Sequence, residues 1–325
     1  MLDFGLKYGT IESLLVFLTF LKGIVMRTEV AASEALDKVK EVFDFSVDKF
    51  PLSGPDGMAT PWYGLFRSDT GTVVGPGSKT DRYQPHTTDD VLALVEAAQE
   101  AFETDVKVDC HFRDGHYVSI APTDGHRRSI FSKDGNDTDN IFPRIFISAG
   151  YDGRAFQATM AYLRDLCLNL SMFKTIKATR AKIRHTSKLR GEMNSLISTF
   201  QVLKESWGTL TDLIDQLESR EVQMVDFLNQ IYPQPEADAG KRAVTVHKNR
   251  TEAIIKRLQS ELYRSGRPAM GNDFLVSAWQ AYNAVQGYVQ HDSSRKRGFF
   301  SEFDRIINAS RDQAVHKAEL LALAA

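Results

Sequence analysis

The chain has 325 residues, 42% of them hydrophobic and 25% charged, with a formal net charge of −2. This is an ordinary globular composition, large enough for a substantial core and about two domains, and it contains no internal repeat and no low-complexity tract. The two cysteines, Cys110 and Cys167, lie 57 residues apart with no CxxC pair, which excludes a disulfide framework and a zinc ribbon and fits a reducing cytoplasm.

The first unit is expected over residues 1–57. Ser13 to Leu21 is an uncharged run of nine residues closed by Lys22, well short of the roughly 20 apolar residues that a spanning helix needs. A signal peptide wants a basic start, whereas Asp3, Lys7 and Glu12 make this one slightly acidic. No membrane partner is expected. Residues 1–25 read either as an upstream extension of the natural start or as a helix docked on the core. After Met26 an amphipathic pattern follows at Val30, Leu36, Val39, Val42 and Phe43.

A second unit over 58–155 reads as an antiparallel sheet with one helix. From Trp62 to Gly150 the period shifts toward two, with turn residues at short intervals. Tyr63 to Arg67 and Thr72 to Val74 flank Ser68-Asp69-Thr70-Gly71 as a hairpin. A helix follows with Val91, Leu92, Leu94, Val95, Ala98 and Phe102 on one side and Thr87 or Thr88 as its cap. Val106, Val108, Cys110 and Phe112 share a strand face, Asp114-Gly115 supplies a turn, and Tyr117 to Ile120 return. Phe142 to Ser148 reads as the last strand before Gly150 and Gly153.

Residues 156–325 read as helical. A helix from Phe156 to about Met172 leads into a basic junction over 174–190, which carries seven Lys/Arg and no acid. Leu189, Met193, Leu196, Phe200, Leu203, Trp207, Leu210, Ile214 and Leu217 then alternate spacings of four and three, a heptad seam. Glu221 interrupts it, and Met224 and Leu228 resume it. Two readings of the seam stand: an intramolecular bundle, which the bulky Phe200 and Trp207 suit, or a homo-oligomer through Leu189 to Leu217. Pro233-Gln234-Pro235 opens a linker over 233–242, and helices are expected at about Val246 to Arg264, Phe274 to His291 and Phe299 to Leu321.

The candidate chemistry is sparse. Cys110, His111, His116 and His126 do not converge as metal ligands, because neighbours on a strand point to opposite faces. Asp134-Gly135-Asn136-Asp137-Thr138-Asp139 lacks the spacing of a calcium loop and reads as a solvated turn. Gly75-Pro76-Gly77-Ser78 lacks the Lys-Ser/Thr ending of a phosphate loop, so no cofactor is expected. Cys167 and His185 could serve as nucleophile and base if they met, although Leu166-Cys167-Leu168 suits a buried structural thiol.

The strongest signal is the basic junction. If it is one helix, Ile176, Ile183 and Leu189 pack and part of the charge is solvated surface. The absence of an internal acid, together with Thr175, Thr179, Thr186 and Ser187 as further donors, favours a polyanion. Arg295-Lys296-Arg297, ahead of Phe299-Phe300, repeats the combination of cation and ring that suits single strands.

Trp62-Tyr63-Gly64, Phe66 to Val74, Asp81-Arg82-Tyr83-Gln84-Pro85, Arg164-x-x-Cys167-x-Asn169, Arg184-His185-Thr186 and the segment Trp279 to His291 resemble the phage/plasmid-like protein family, a numbered domain of unknown function. The resemblance covers about Met58 to Leu321 and implies a phage, prophage or plasmid origin in a bacterial host cell. It supplies no catalytic residues. The sequence is thus expected to encode an α+β protein, a curved antiparallel sheet of hairpins with a packed helix followed by a helical bundle with one long heptad helix.

Its expected function is nucleic-acid binding, on DNA and in particular on single strands, in replication or recombination. The contacts would come from Lys174, Lys177, Arg180, Lys182, Arg184, Lys188, Arg190, Arg82, Tyr83, Arg295, Lys296 and Arg297. The alternatives are an oligomeric interaction protein that acts on a host factor and an enzyme that uses Cys167 and His185.

Overall fold

The computed structural model describes residues 32–112, 115–123, 127–166, 170–171, 180–292 and 312–325. The extension over 1–25, the cluster member His126, the turn residue Asp114, Cys167 and the second basic knot at 295–297 lie outside them.

The protein is α+β. Helix α1 (Ala32–Val42) buries Ala35 and Val39, and Phe43 extends this stripe of every fourth residue. Strands β1 (Val47–Ser53) and β2 (Ala59–Arg67) form a separate two-stranded sheet. The Ser68–Gly71 turn is closed by the Gly71 amide on the Arg67 carbonyl (2.9 Å), and the chain returns through a Phe66–Val73 bridge. Sequence periodicity misses β1 because Val47 is the strand's one fully buried residue, and Pro51 interrupts the propensity. Gly75 follows at φ +70, where a Cβ would lie 2.5 Å from the Tyr151 carbonyl oxygen, so only glycine allows this approach.

Helix α2 (Thr88–Phe102) starts at a capping box: the Thr87 hydroxyl accepts from the Asp90 amide and the Asp90 carboxylate accepts from the Thr87 amide. Val91, Leu92, Leu94, Val95, Ala98 and Phe102 are buried as the pattern requires. Thr87→Ala removes one half of the box and is expected to cost about 1 kcal/mol in urea unfolding.

The main sheet contains β3 (Val106–Phe112), β4 (Gly115–Pro122), β5 (Arg128–Lys133), β6 (Asn136–Gly150), β7 (Phe156–Arg164), β8 (Leu170–Ser171) and β9 (Arg180–Ile183). Its order is β3-β4-β6-β7-β8, all antiparallel, with β5 on the first half of β6 and β9 on the outer edge of β7. The register Val108–Ile120–Ile145 and Cys110–Val118–Ile147–Ala158 defines one face, which packs in a single core with α1 and α2. Cys110 sits on that face, whereas His111 turns to the other and stacks on Tyr117 (5.1 Å, 8°).

The helix expected from Phe156 is instead β7. Both faces of this strand are buried, with Phe156, Ala158 and Tyr162 on one side and Gln157, Thr159, Ala161 and Leu163 on the other. A strand buried on both faces loses its alternation and cannot be told from a buried helix by pattern.

Helix α3 (Leu189–Ser219) carries the seam, and Leu189, Met193, Leu196, Phe200, Leu210, Ile214 and Leu217 are all buried in this chain's own core. Trp207 stacks on Tyr162 of β7 (5.2 Å, 22°). A second copy docking along Leu189 to Leu217 would have to displace that core. At Glu221 the chain forms a short strand, β10 (Glu221–Gln223), and then α4 (Met224–Ile231) and α5 (Lys241–Ser265) follow.

The helix expected from Phe274 begins later. β11 (Leu275–Ser277) first pairs with β10, and α6 (Ala278–Gly287) then starts at a Ser277/Gln280 capping box. All ten residues of α6 are buried, Trp279 and Tyr282 among them. A π-helical turn (Tyr288–Asp292) ends it, and α7 (Gln313–Ala324) packs against it.

Candidate nucleic-acid interface

From Arg180 the basic junction is β9 as far as Ile183 and then a turn that leads into α3 at Leu189, not the continuous helix considered from the sequence. Period two places Lys182 and Arg184 on one face and Ile183 and His185 on the other, where both are buried against the core. Lys182, Arg184 and Lys188 are exposed, and none forms an ion pair among the described residues. Arg180 is placed by its register opposite Thr159, and Arg190 by the first turn of α3. Lys174 and Lys177 lie outside the described residues, as do Arg295, Lys296 and Arg297.

A second segment joins this strand from far away in sequence. Tyr83 bridges Thr186 in antiparallel fashion, and the Gln84 amide donates to the His185 carbonyl (3.3 Å). The register thus places Arg82, which is exposed, opposite Ser187, next to Lys188 in sequence. Tyr83, expected among the nucleic-acid contacts, is engaged within the protein. Its ring stacks on His185 (5.3 Å, 21°) with Lys79 Nζ 5.5 Å from the ring centre, and its hydroxyl is buried. Burial pushes the Tyr83 pKa far up. Tyr83 holds the two segments together instead of offering a free face to a base.

Beneath this junction lies a histidine cluster that the sequence does not announce. His86 Nε2 and His116 Nδ1 are 2.7 Å apart in a buried hydrogen bond. The His86 ring stacks on Tyr151 (4.3 Å, 10°), whose hydroxyl donates to the His86 carbonyl (3.0 Å), and His185 is 5.1 Å from His86. Desolvation lowers the pKa of His116 to about 3, with Arg67 adding to the effect, and that of His185 to about 4. His86 is also pushed well below its ordinary value, first by burial and then by its two histidine neighbours.

All three rings are neutral at pH 7, so in the His86–His116 pair one ring donates and the other accepts. The outer nitrogens then carry opposite character, one a donor and one an acceptor. His86 Nδ1, His116 Nε2, both nitrogens of His185 and Tyr83 Oη have no hydrogen-bond partner. A cavity of about 660 Å³ opens over the pair, lined by Phe43, Asp48, His86, Thr88, His116 and Tyr151 among others. Among the described residues no group of three or more His, Cys, Asp or Glu is arranged to hold a metal ion. Burial also pushes the Cys110 thiol up to about 11, away from thiolate chemistry.

A buried ionic network fixes the sheet to the helices. Arg164 on β7 forks onto Asp139 through Nε (2.8 Å) and Nη2 (2.7 Å) and reaches Glu261 of α5 through Nη1 (2.7 Å). Arg164, Asp139 and Glu261 are 1%, 0% and 3% exposed. Arg267 approaches Asp139 (3.5 Å) and forks onto Glu218 (3.0 and 3.1 Å), whose pKa burial raises. Arg257 pairs with Asp292 (2.9 Å), and its Nε lies 3.1 Å from Glu261 Oε1, near enough for charge pairing but not aligned as a hydrogen bond. The acidic run is thus not wholly a solvated turn. Asp134 and Gly135 make the turn at positive φ, while Asp139 points inward in phase with Ile141 and Ile145. Extending the strand's alternation back from Ile141 would have found it.

A family model described as a domain of unknown function, DUF932, matches residues 77–321, most of the chain. The chain belongs to the DUF932 family. No curated protein and no solved structure matches it. The DUF932 region takes in the basic edge, the three histidines and the ionic network, whereas the β1–β2 hairpin precedes it. Within that region the Asp81–Pro85 and Arg184–Thr186 segments, noted separately in the sequence, lie side by side.

Proposed function

We propose that this DUF932 protein binds nucleic acid, as a DNA-binding accessory factor of a phage or plasmid in replication or recombination. The observation that carries the reading is the row of exposed cations at the sheet edge, Lys182, Arg184, Lys188 and Arg82, with no carboxylate paired to them among the described residues. In a chain of net charge −2 such a row concentrates positive potential at one place. The neutral cluster below holds the two segments that present it. The mobile-element setting rests on the family resemblance of the motifs.

Charge on an edge strand also guards against unwanted strand pairing, and salt dependence separates the two roles. Binding to single- and double-stranded oligonucleotides at low salt is expected to weaken steeply as salt rises. Reversing Arg82, Lys182, Arg184 and Lys188 to Glu should lower affinity by roughly tenfold or more and flatten the log–log salt slope for single strands by about 3. Absence of binding at low salt, or a slope unchanged by the four reversals, would refute the reading.

A further inference from the structure

The β1–β2 hairpin carries an exposed ring surface that neither the core nor the basic edge uses. In its register Phe50 stands opposite Gly64 and Asp48 opposite Phe66, so these residues share one face. Trp62, two residues before Gly64, belongs to the same face, as does Val73 through its bridge to Phe66. The opposite face holds Val47 and Leu65, which are buried with Val74 and Tyr151 in a small core of their own.

Among the described residues nothing covers the outward face. Phe50 is 50% exposed, Trp62 45% and Val73 66%, and Met58 at the hairpin's far end is 68% exposed. Phe50 meets Phe66 edge-on (5.6 Å, 75°). A Cβ on Gly64 would lie 2.8 Å from the Phe66 ring and 3.1 Å from Leu52, so glycine lets these two side chains close the floor between Phe50 and Trp62. The rings are thereby braced from below while their outer surfaces stay open.

This face is tied by backbone to the basic edge. Tyr63 pairs with Lys79 through two hydrogen bonds (2.9 and 2.7 Å), and four residues later Tyr83 pairs with Thr186. Lys49 Nζ pins the connecting segment by donating to the carbonyls of Asp81 (2.7 Å) and Tyr83 (3.2 Å). The backbone path from Tyr63 to Arg184 is at most about 30 Å. A partner that spans both regions must offer flat apolar rings at one end and repeated negative charge along its length. Unpaired nucleic acid has both features, and a duplex hides the first.

We infer that the outward face of the β1–β2 hairpin, centred on Phe50 and Trp62, stacks unpaired nucleobases, so that the strand whose phosphates follow Arg82, Lys182 and Arg184 is single. This rests on the nucleic-acid reading and adds to it a second contact of different chemistry.

The test uses the full chain and three probes of equal length: a thymidine oligonucleotide, the same backbone without bases, and a duplex. Phe50→Ala/Trp62→Ala should weaken binding of the thymidine strand by at least about 5-fold, the low end for losing one stacked base. It should leave the abasic strand, the duplex and the salt slope unchanged. Fluorescence gives a check without a destabilised variant. The thymidine strand should quench part of the emission of the wild type and less of that of Trp62→Phe, whereas the abasic strand should quench neither differently.

If the double variant weakens all three probes alike, or none, the stacking platform is overturned while the charge-based reading stands. If it leaves every probe unaffected but abolishes concentration-dependent self-association, the face is a protein contact and the platform is likewise overturned. If the wild type binds none of the probes at low salt, both readings fall together.

Discussion

Replacing Arg164 with leucine will destabilise the fold by about 3–5 kcal/mol, the cost of leaving buried carboxylates without their counter-charge. Asp139 and Glu261 would lose three charge-assisted hydrogen bonds, and neither can reach water. Arg267 and Arg257 compensate in part only: Arg267 comes no nearer to Asp139 than 3.5 Å with its fork engaged by Glu218, and Arg257 meets Glu261 at 3.1 Å without an aligned hydrogen bond. Arg164→Lys should fall between wild type and leucine, because one ammonium cannot reproduce a fork on Asp139 and a third bond to Glu261. Adding Asp139→Asn and Glu261→Gln to Arg164→Leu should recover part of the loss by removing the unpaired charges. Urea unfolding at pH 7 measures all three, and a loss below about 1 kcal/mol for the leucine variant would show that the network is not a clamp. Because Arg164 ends β7, and β7 carries β9, amide exchange should also accelerate in the basic edge.

The elements that the sequence makes legible are those whose signal is local. Thr87 and Asp90 are three residues apart, so the α2 cap is written in one turn; Leu189 to Leu217 repeat at helical spacing, and that stripe is buried. The β3–β4 hairpin follows in the same way from alternation around its turn. What stayed hidden has its partners far away in the chain. Arg164 meets Asp139 across 25 residues and Glu261 across 97, and His86 meets His116 across 30. No window of local pattern contains both members of such a pair. β7 failed for a different reason, since burial on both faces erased the period that would have named it. The basic junction was legible as charge but not as geometry. Only the pairing of β9 with β7 shows that Lys182 and Arg184 share a face while Ile183 and His185 anchor the strand.

Lowering the pH from 7 to 5 will cost the fold about 2 kcal/mol for each of His116 and His185. Their folded pKa values, about 3 and about 4, lie below the unfolded value of about 6.5. Below pH 6.5 the unfolded chain therefore binds protons that the folded chain refuses, and stability falls as pH falls, by about 1.4 kcal/mol per unit and per histidine. The loss continues down to about pH 4 for His185 and about pH 3 for His116, and above pH 7 neither residue contributes a slope. His86 acts in the same direction. Burial is the main cause in each case; Asp152 and Asp90 pull His185 weakly the other way, while Lys79 opposes its protonation and Arg67 that of His116. Urea unfolding at pH 7 and pH 5 should show a drop of about 4 kcal/mol or more. In His185→Phe, which keeps a ring under Tyr83 but cannot be protonated, that drop should shrink by about 2 kcal/mol. A wild-type stability that is level between pH 7 and pH 5 would mean that these imidazoles are not held neutral, and the cluster could not then be the rigid support on which Arg82 and Arg184 are presented.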